Sequence, residues 1–373
     1  MKDPRHIAAS CARKFPARAC LRAALALAVL AGFGFGSPAA VASDRPLEVV
    51  VAGTSFRGTA GEQQWMDFQK YAETASRGTI RPKMLVRGEL GPEEQIVSGL
   101  RRGRVNYANL SALAASTIVP EISVLYAPYL FDSEAESDFV FDTYLVSEFR
   151  KLFAKRGLEL IVFYDLGFQQ LWSRKKPILV PADARGVRFR VSAGKASEIF
   201  GRAIGADLIP VSFADLLPSL QTGLVEAGEN GITLYARTGT AGEAPHLSLT
   251  NHGLALSVIV ADKRWWDRLQ PAQQKILRDA FPTAQQIRDA TRAEIAGDLR
   301  DAQKLKIRVH RLTPAQRAEW VRALRGSQAE LVRATGGDSQ RIYDGVLAAK
   351  KAYAARGAAA RPAARPAPQP APR

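Results

Sequence analysis

The stretch from Pro181 to Tyr235 constrains the fold of this chain more than any other. Asp183 and Gly186 form a turn. Val187 to Val191 alternates apolar and basic residues, as a strand with one exposed side does. Ser197 to Ile204 has the composition of a short helix, closed by Gly205. Leu208 to Val211 reads as a second strand. Ser212 is placed to cap a helix from Phe213 to Thr222, with Gly223 as its stop, and a strand-like end follows. Strand, helix, strand, helix in so short a run predicts an open α/β sheet, whose strand ends line a ligand crevice. Arg190 stands at one such strand end, and Asn230 where the chain leaves the next unit.

The same alternation extends in both directions. Leu47 to Val51 reads as a buried strand, and Gly61 to Ala75 as a helix with Trp65, Phe68 and Ala72 on one face. A strand over 79–86 follows. Next come a helix that opens on the acidic pair Glu93-Glu94 and a strand over 105–110, with Ser111 opening the loop after it. This completes a βαβαβ unit by about Phe131. One long helix is expected from Ser133 to Arg156, then two strands, Leu158 to Tyr164 and Gly167 to Trp172. Leu254 to Val260 reads as a strand that returns to the first unit. From Pro271 to Leu305 the composition is helical, divided at Pro282. Ile307 to Leu312 reads as a strand, Thr313 caps a helix running to about Thr335 with Pro314 at its first position, and a last helix ends near Tyr353.

The ends of the chain carry separate messages. Residues 1–42 have a basic start, an apolar run from Ala23 to Phe35 and a small-x-small site at Ala40-Val41-Ala42, the layout of a secretory signal peptide cleaved after Ala42. Both cysteines, Cys11 and Cys20, fall before that cut, so the mature chain is expected to have neither disulfide nor thiol nucleophile. Residues 357–373 are Ala, Pro and Arg with little else and are expected to be disordered. These two ends account for half of the formal charge of +16. The remaining basic residues are interleaved with acids rather than gathered in a stripe with stacking aromatics, which argues against nucleic acid as a partner.

The central stretch resembles the signature of the DctP-type solute-binding proteins of tripartite ATP-independent periplasmic (TRAP) transporters. The residues that carry the resemblance are Asp183 with Gly186, Arg190-Val191, Gly205-Ala206, Pro210-Val211, Phe213 with Asp215, Leu220 to Gly223, and Glu226 to Asn230. A weaker likeness extends from about Leu47 to about Tyr353. The resemblance implies an α/β, two-lobe periplasmic-binding-protein fold of type II kind with a long lobe-spanning helix. Lobe I would take 43–163 with segments of 254–312, lobe II 164–253, and C-terminal helices 313–356. It implies a monomer in the periplasm that closes on a small organic acid and delivers it to integral-membrane TRAP permease subunits, with no cofactor.

Arg190 is the sharpest candidate, because a guanidinium grips a carboxylate through two parallel hydrogen bonds, and in the family this Arg holds the ligand's carboxylate. Asn230 offers both a donor and an acceptor, Phe213 and Trp172 apolar walls, and Ser111 a donor from the first lobe. For each there is a structural reading as well: turn, core or cap. Glu226 and Glu229 are read by default as residues of a solvated loop. Gln169 stands where many family members carry a second Arg facing the ligand acid, with Gln170 as the alternative after a one-residue shift. A dicarboxylate is accordingly less expected than a monocarboxylate or an amphoteric solute. Catalytic patterns are weak. There is no His-Glu-x-x-His, no phosphate loop and no nucleophile elbow, and Ser192 to Lys195 matches Ser-x-x-Lys without its companion motifs. A periplasmic sensor for a signalling partner and, further off, a secreted enzyme are the alternatives.

Overall fold

The computed structural model describes residues 45–192 and 194–359. The expected signal peptide, both cysteines and residues 360–373 lie outside that range. Ten strands are present among the described residues: β1 (Leu47–Ala52), β2 (Ile80–Leu85), β3 (Tyr107–Ser111), β4 (Leu158–Ser173), β5 (Arg188–Val191), β6 (Asp207–Pro210), β7 (Ala227–Gly231), β8 (His246–Leu249), β9 (Leu254–Asp262) and β10 (Arg308–Arg311). Their order is β2-β1-β3-β9-β4-β7-β5-β6, with β8 pairing to both β4 and β10 off this path.

The strands form two halves that share β4. In the first half β1 is parallel to β2 and β3, while β9 runs antiparallel to β3 and to the Leu158–Phe168 part of β4. In the second half the remaining part of β4, Gln169 to Ser173, is antiparallel to β7 and β8, and β5 is parallel to β6 and β7. Two strands were expected where the structure has the single strand β4. The break read at Asp165-Leu166 falls in a register shift opposite β9, between Asp165 and Phe168, and is not an end. Gly167 has φ +82, and a Cβ there would lie 2.5 Å from Ile295 Cδ1, so this position suits glycine alone.

The returning strand β9 is buried along its whole length, as an unbroken apolar run between two neighbours must be. Trp65 packs edge to face on Phe68, Tyr107 and Phe281 beneath it. In the second half Trp172, Leu216, Leu220 and Leu247 fill one side of the sheet, and Leu171, Phe189, Phe200 and Trp320 the other.

Pro282 divides the long helical stretch as the sequence predicts, giving Pro271–Asp279 and Ala284–Arg300. The second of these packs against β4 and is ion-paired at Arg288 and Arg292 to Asp138 and Asp142. The helix expected over 133–156 is interrupted by a π turn, Phe141–Leu145, which carries Asp142. The helix expected from Thr313 to Thr335 is two, Pro314–Ala323 and Ser327–Thr335, parted beside Gly326. The last helix runs on to Ala359, past the expected start of the tail. Strand β8 and the helix Ile232–Arg237 were not read from the sequence.

The helix after β6 begins at Leu216, not Phe213. Pro218 explains the difference. A helix starting at Phe213 would need an N–H at 218 to bond back to Ala214, and proline has none. Ser212 is therefore not the cap: the N-cap is Asp215, whose N–H donates to Ser212 Oγ at 3.2 Å in the turn before the helix, and Phe213 is left in the loop.

Candidate functional site

The site is built around the pairing of β4, β7 and β5. Gln170 faces Asn230, Trp172 faces Gly228, and Phe189 faces Ala227, which sets Arg190 beside Gly228. Alternation along each strand then sorts the side chains. Arg190, Trp172, Asn230 and Gln170 share one face of this part of the sheet. Gln169, Leu171 and Glu229 belong to the other. The sequence-predicted residues therefore fall into two groups rather than one.

Arg190 is 3% exposed. Its Nε donates to Val211 O at 3.0 Å, which fixes the direction of the guanidinium. Among the described residues it has no carboxylate within 4 Å, although Glu229 acts on it at longer range. Burial pushes its pKa down to about 10, with Glu229 acting in the opposite sense. A buried cation without a close counter-charge is costly. On the same face, Asn230 Nδ2 is buried without a partner among the described residues, and so is Trp172 Nε1. Trp172 itself is wholly buried in the core against Leu216, Leu220 and Leu247, so it offers no apolar wall. Its ring lies over Gly228, where a Cβ would stand 2.4 Å from Cζ2; only a residue without a side chain lets the indole cross β7 there.

Gln169 opens onto the opposite face. It lines a small cavity with Leu113, Tyr126, Ser197, Glu229 and His252, and its Oε1 is buried without a partner. Arg190, Asn230 and Phe213 are not among the residues lining that cavity. Gln170, the alternative considered for the second ligand-facing position, is committed elsewhere: its Nε2 donates to Asn251 Oδ1 and its Oε1 accepts from Asn251 N at 3.0 Å.

Glu229 is no solvated loop residue. It is 8% exposed in β7, accepts from Ser197 Oγ at 2.9 Å and pairs with His252 Nε2 at 2.8 Å. His252 Nδ1 is 2.8 Å from Thr250 Oγ1, and its ring stacks on Phe200. Burial raises the Glu229 pKa, but His252, Ser197 and Arg190 outweigh it, and the carboxyl ends below its ordinary range. Sequence reasoning missed this group because Ser197, Glu229 and His252 lie far apart in the chain. The one available signal was the position of Glu229 at an apolar strand end next to Asn230. The arrangement does not prepare a nucleophile: the carboxylate stands between Ser197 and His252, so the hydroxyl proton points at Glu229 and not at an imidazole. Lys195 donates to Ala334 O, which separates it from any role with Ser192. Among the described residues no group of three or more His, Cys, Asp or Glu is placed to hold a metal ion.

Two further candidates connect to the first half. Phe213 meets Phe56 edge to face at 5.4 Å, joining the loops after β6 and β1. Ser111 has its hydroxyl committed: Oγ donates to Glu93 Oε2 at 2.6 Å and accepts from Ala114 N, capping the helix Ala112–Ala115. Burial raises the pKa of Glu93, even though Ser111 binds both its oxygens. Arg237 completes the tie between the halves. It donates to Gly58 O at 2.8 Å and pairs with Glu294 at 2.8 Å and Asp298 at 2.9 Å. Next to it a second, largely apolar cavity is lined by Ala60, Tyr164, Leu166, Thr233, Leu234 and Glu294.

Two sheet halves sharing a strand, with an unpaired buried cation near the strand ends, define the class: a two-lobe α/β binding protein. The chain belongs to the bacterial extracellular solute-binding proteins of family 7, the DctP family, whose profile matches residues 56–334. It is similar to the C4-dicarboxylate-binding periplasmic protein DctP of Vibrio cholerae, 28% identical over 264 residues, 69% of this chain and 77% of that one. It is also similar to the ectoine-binding periplasmic protein TeaA of Halomonas elongata, 26% identical over 220 residues, 58% of this chain and 64% of that one. With the solute-binding protein of Chromohalobacter salexigens the match covers 65% of that protein's length. Among solved structures, the sugar acid binding protein of Advenella mimigardefordensis in complex with galactonate has a TM-score of 0.76 at 23% identity, covering 83% of this chain and 99% of that one. A TRAP periplasmic solute-binding protein of Sulfurospirillum deleyianum with bound succinate gives 0.73 at 22% identity, covering 82% and 99%. These structural likenesses establish the two-lobe fold. The family is one of solute-binding proteins rather than enzymes, and no helix among the described residues is long and apolar enough to cross a membrane.

Proposed function

We propose that this protein captures a small organic acid between its two lobes in the periplasm and delivers it to a TRAP-type permease, which imports it on an ion gradient. One observation carries the reading: the Arg190 guanidinium is buried, is aimed by a bond to Val211 O, and has no carboxylate within 4 Å among the described residues. Its bidentate fork suits a ligand carboxylate, and the unpartnered Asn230 Nδ2 on the same sheet face is a second donor for the same anion. Phe213 supplies an apolar edge. Ser111 acts at one remove, holding Glu93. The lobes are assigned as 43–163 with the returning segments of 254–312, and 164–253, with helices over 313–356 bracing them. A solute that touches both lobes favours the closed form over the open one. The leader is removed after Ala42, and the mature protein works as a monomer.

Isothermal titration against a panel of carboxylates tests this. Wild-type protein binds at least one of them, and Arg190→Ala loses that binding while its circular dichroism and melting curve stay those of a folded protein. An Arg190→Ala protein that binds with unchanged affinity removes Arg190 from the site and the reading with it.

A further inference from the structure

One place where the two halves meet is the loop after β1, residues 55–59, and the contact there is matched in polarity. Arg237 Nη1 donates to Gly58 O at 2.8 Å, and Ala60 N donates to Glu294 Oε1 at 3.0 Å. Arg237 and Glu294 are themselves paired at 2.8 Å. A main-chain acceptor thus meets the cation, a main-chain donor meets the carboxylate, and the ion pair closes the ring. Both sides are set independently of each other. Ser55 N donates to Val86 O at 2.7 Å, Gly58 N donates to Glu62 Oε2 at 2.8 Å, and Thr59 caps the helix Ala60–Ala75, so the first half shapes the loop. Asp298 holds Arg237 Nε at 3.0 Å and Nη2 at 2.9 Å. Ile295 and Leu299, on the same helix as Asp298, pack into the core of the second half. Behind the contact lies the cavity of about 70 Å³ lined by Ala60, Gln64, Leu234 and Glu294. The halves therefore meet here through these bonds and one half-buried ring pair, Phe56 on Phe213, not through a packed apolar surface. Such a joint can part without exposing a large apolar area.

We infer that Arg237 is a latch on lobe closure: its bond to Gly58 O forms as the halves shut and breaks as they part, while its pairing with Asp298 persists in both states. This rests on the reading of two lobes that close over a solute, and it gives Arg237 a part in how long the solute stays rather than in which solute is recognised. The bond across the halves is the one that yields. It joins a guanidinium to a neutral carbonyl, whereas the bonds on Arg237's own side join it to carboxylates and are the stronger. Opening therefore leaves no charge stranded: Arg237 keeps Asp298, and Gly58 O returns to water at an exposed loop. Closing needs no rearrangement of either partner, because Glu62 and Thr59 hold the loop and Asp298 holds the guanidinium.

Arg237→Met removes the donor, and because it would leave Asp298 buried at 6% exposure without its cation, it is combined with Asp298→Asn. Nitroxide labels on Gln95→Cys and Gln221→Cys, exposed positions on the helices Glu93–Arg101 and Leu216–Gln221 of the two halves, report the separation by electron–electron double resonance on the full mature chain. In solute-free protein the closed, short-distance fraction is expected to fall at least threefold in the Arg237→Met/Asp298→Asn protein. Arg237→Lys keeps a cation against the carboxylates but loses the fork that reaches Asp298 and Gly58 O together; it is expected to shift the same way and needs no buried charge to go unpaired. Distance distributions in both variants that coincide with wild type overturn the latch. For whichever of galactonate, succinate and 4-hydroxybutyrate binds, stopped-flow fluorescence is expected to show release at least fivefold faster from the double variant, with association unchanged within twofold. Slower association at an unchanged release rate also overturns it. The two readings fail separately. Coincident distributions together with binding that Arg190→Ala abolishes remove the latch and leave acid uptake standing. Distributions that differ in a protein to which no carboxylate binds leave the latch and remove acid uptake.

Discussion

Arg190 and Arg288 are equally hidden, at 3% and 2% exposure, yet they live differently. Arg288 is gripped by Asp142 at 2.9 and 3.1 Å, with Gln285 at 3.0 Å and Asp138 close to its Nε. It fastens the helix Ala284–Arg300 to the π turn of the first half. Arg190 has one main-chain acceptor and no ion pair among the described residues. A cation that the chain itself neutralises serves the fold. A cation that the chain buries and leaves unneutralised lowers the stability of the fold and keeps its donors open. Burial alone separates neither case; the inventory of partners does.

The largest effect that can break this contrast is on binding. Arg190→Ala is expected to weaken the bound acid by about 3 kcal/mol, the order found on truncating one partner of a buried charge pair, with stability unchanged or raised because an uncompensated charge is gone. Calorimetry and urea unfolding measure the two halves of that statement. Arg288→Met is expected to do the reverse, costing about 2 kcal/mol in urea unfolding while the dissociation constant stays put; Asp142 is half-exposed, so water takes back part of the loss. Should Arg288→Met weaken binding tenfold at unchanged stability, the contrast is false.

A smaller effect sharpens the geometry between them. Gly228→Ala drives a methyl into the Trp172 ring and is expected to destabilise by about 1–3 kcal/mol, as overpacking does, visible as a lower urea midpoint. The smallest concerns pH. The folded-state pKa of Glu229 lies below its ordinary value of 4.5. Its contribution to stability is therefore complete above that value and is lost as pH falls through the folded pKa. Glu93 has the opposite sign: its pKa is raised, so it detracts from stability as pH rises from the ordinary carboxylate range through its folded pKa. Urea unfolding from pH 3 to pH 7 should show a shallower acid limb in Glu229→Gln and a gain above pH 5 in Glu93→Gln. An identical acid limb in Glu229→Gln and wild type would show that the His252 pairing contributes nothing.

Most of the architecture was legible because periodicity and punctuation agree. The β5–β6 unit, the division at Pro282 and the cap at Thr313 each follow from residues within a few positions of the feature. Arg190, Asn230 and Phe213 were singled out by their place in a spaced pattern, and strand register then puts Arg190 and Asn230 on one face of the sheet. The joining of two expected strands into β4 was not, because Asp165-Leu166 before Gly167 reads as a break until β9 is laid alongside it. Nor was the Glu229–His252–Ser197 group, whose members are separated by more than a turn of chain and are assembled by β7, the β8–β9 connection and a helix start. The assignment of Gln169 and Gln170 to opposite faces needed the register of β4 against β7. Local grammar fixes elements; the pairing partner fixes which way a side chain looks.

The shared strand has a mechanical corollary. Gly167 stands at the irregular step of β4, pressed against Ile295, and the residues that follow it along the same ribbon are Gln169 and Trp172. If the molecule bends at that step, the last part of β4 moves together with β7 and β5, which are hydrogen-bonded to it in turn. Arg190 and Asn230 would then keep their mutual placement while the first half swings away, so the polar face arrives at closure already assembled.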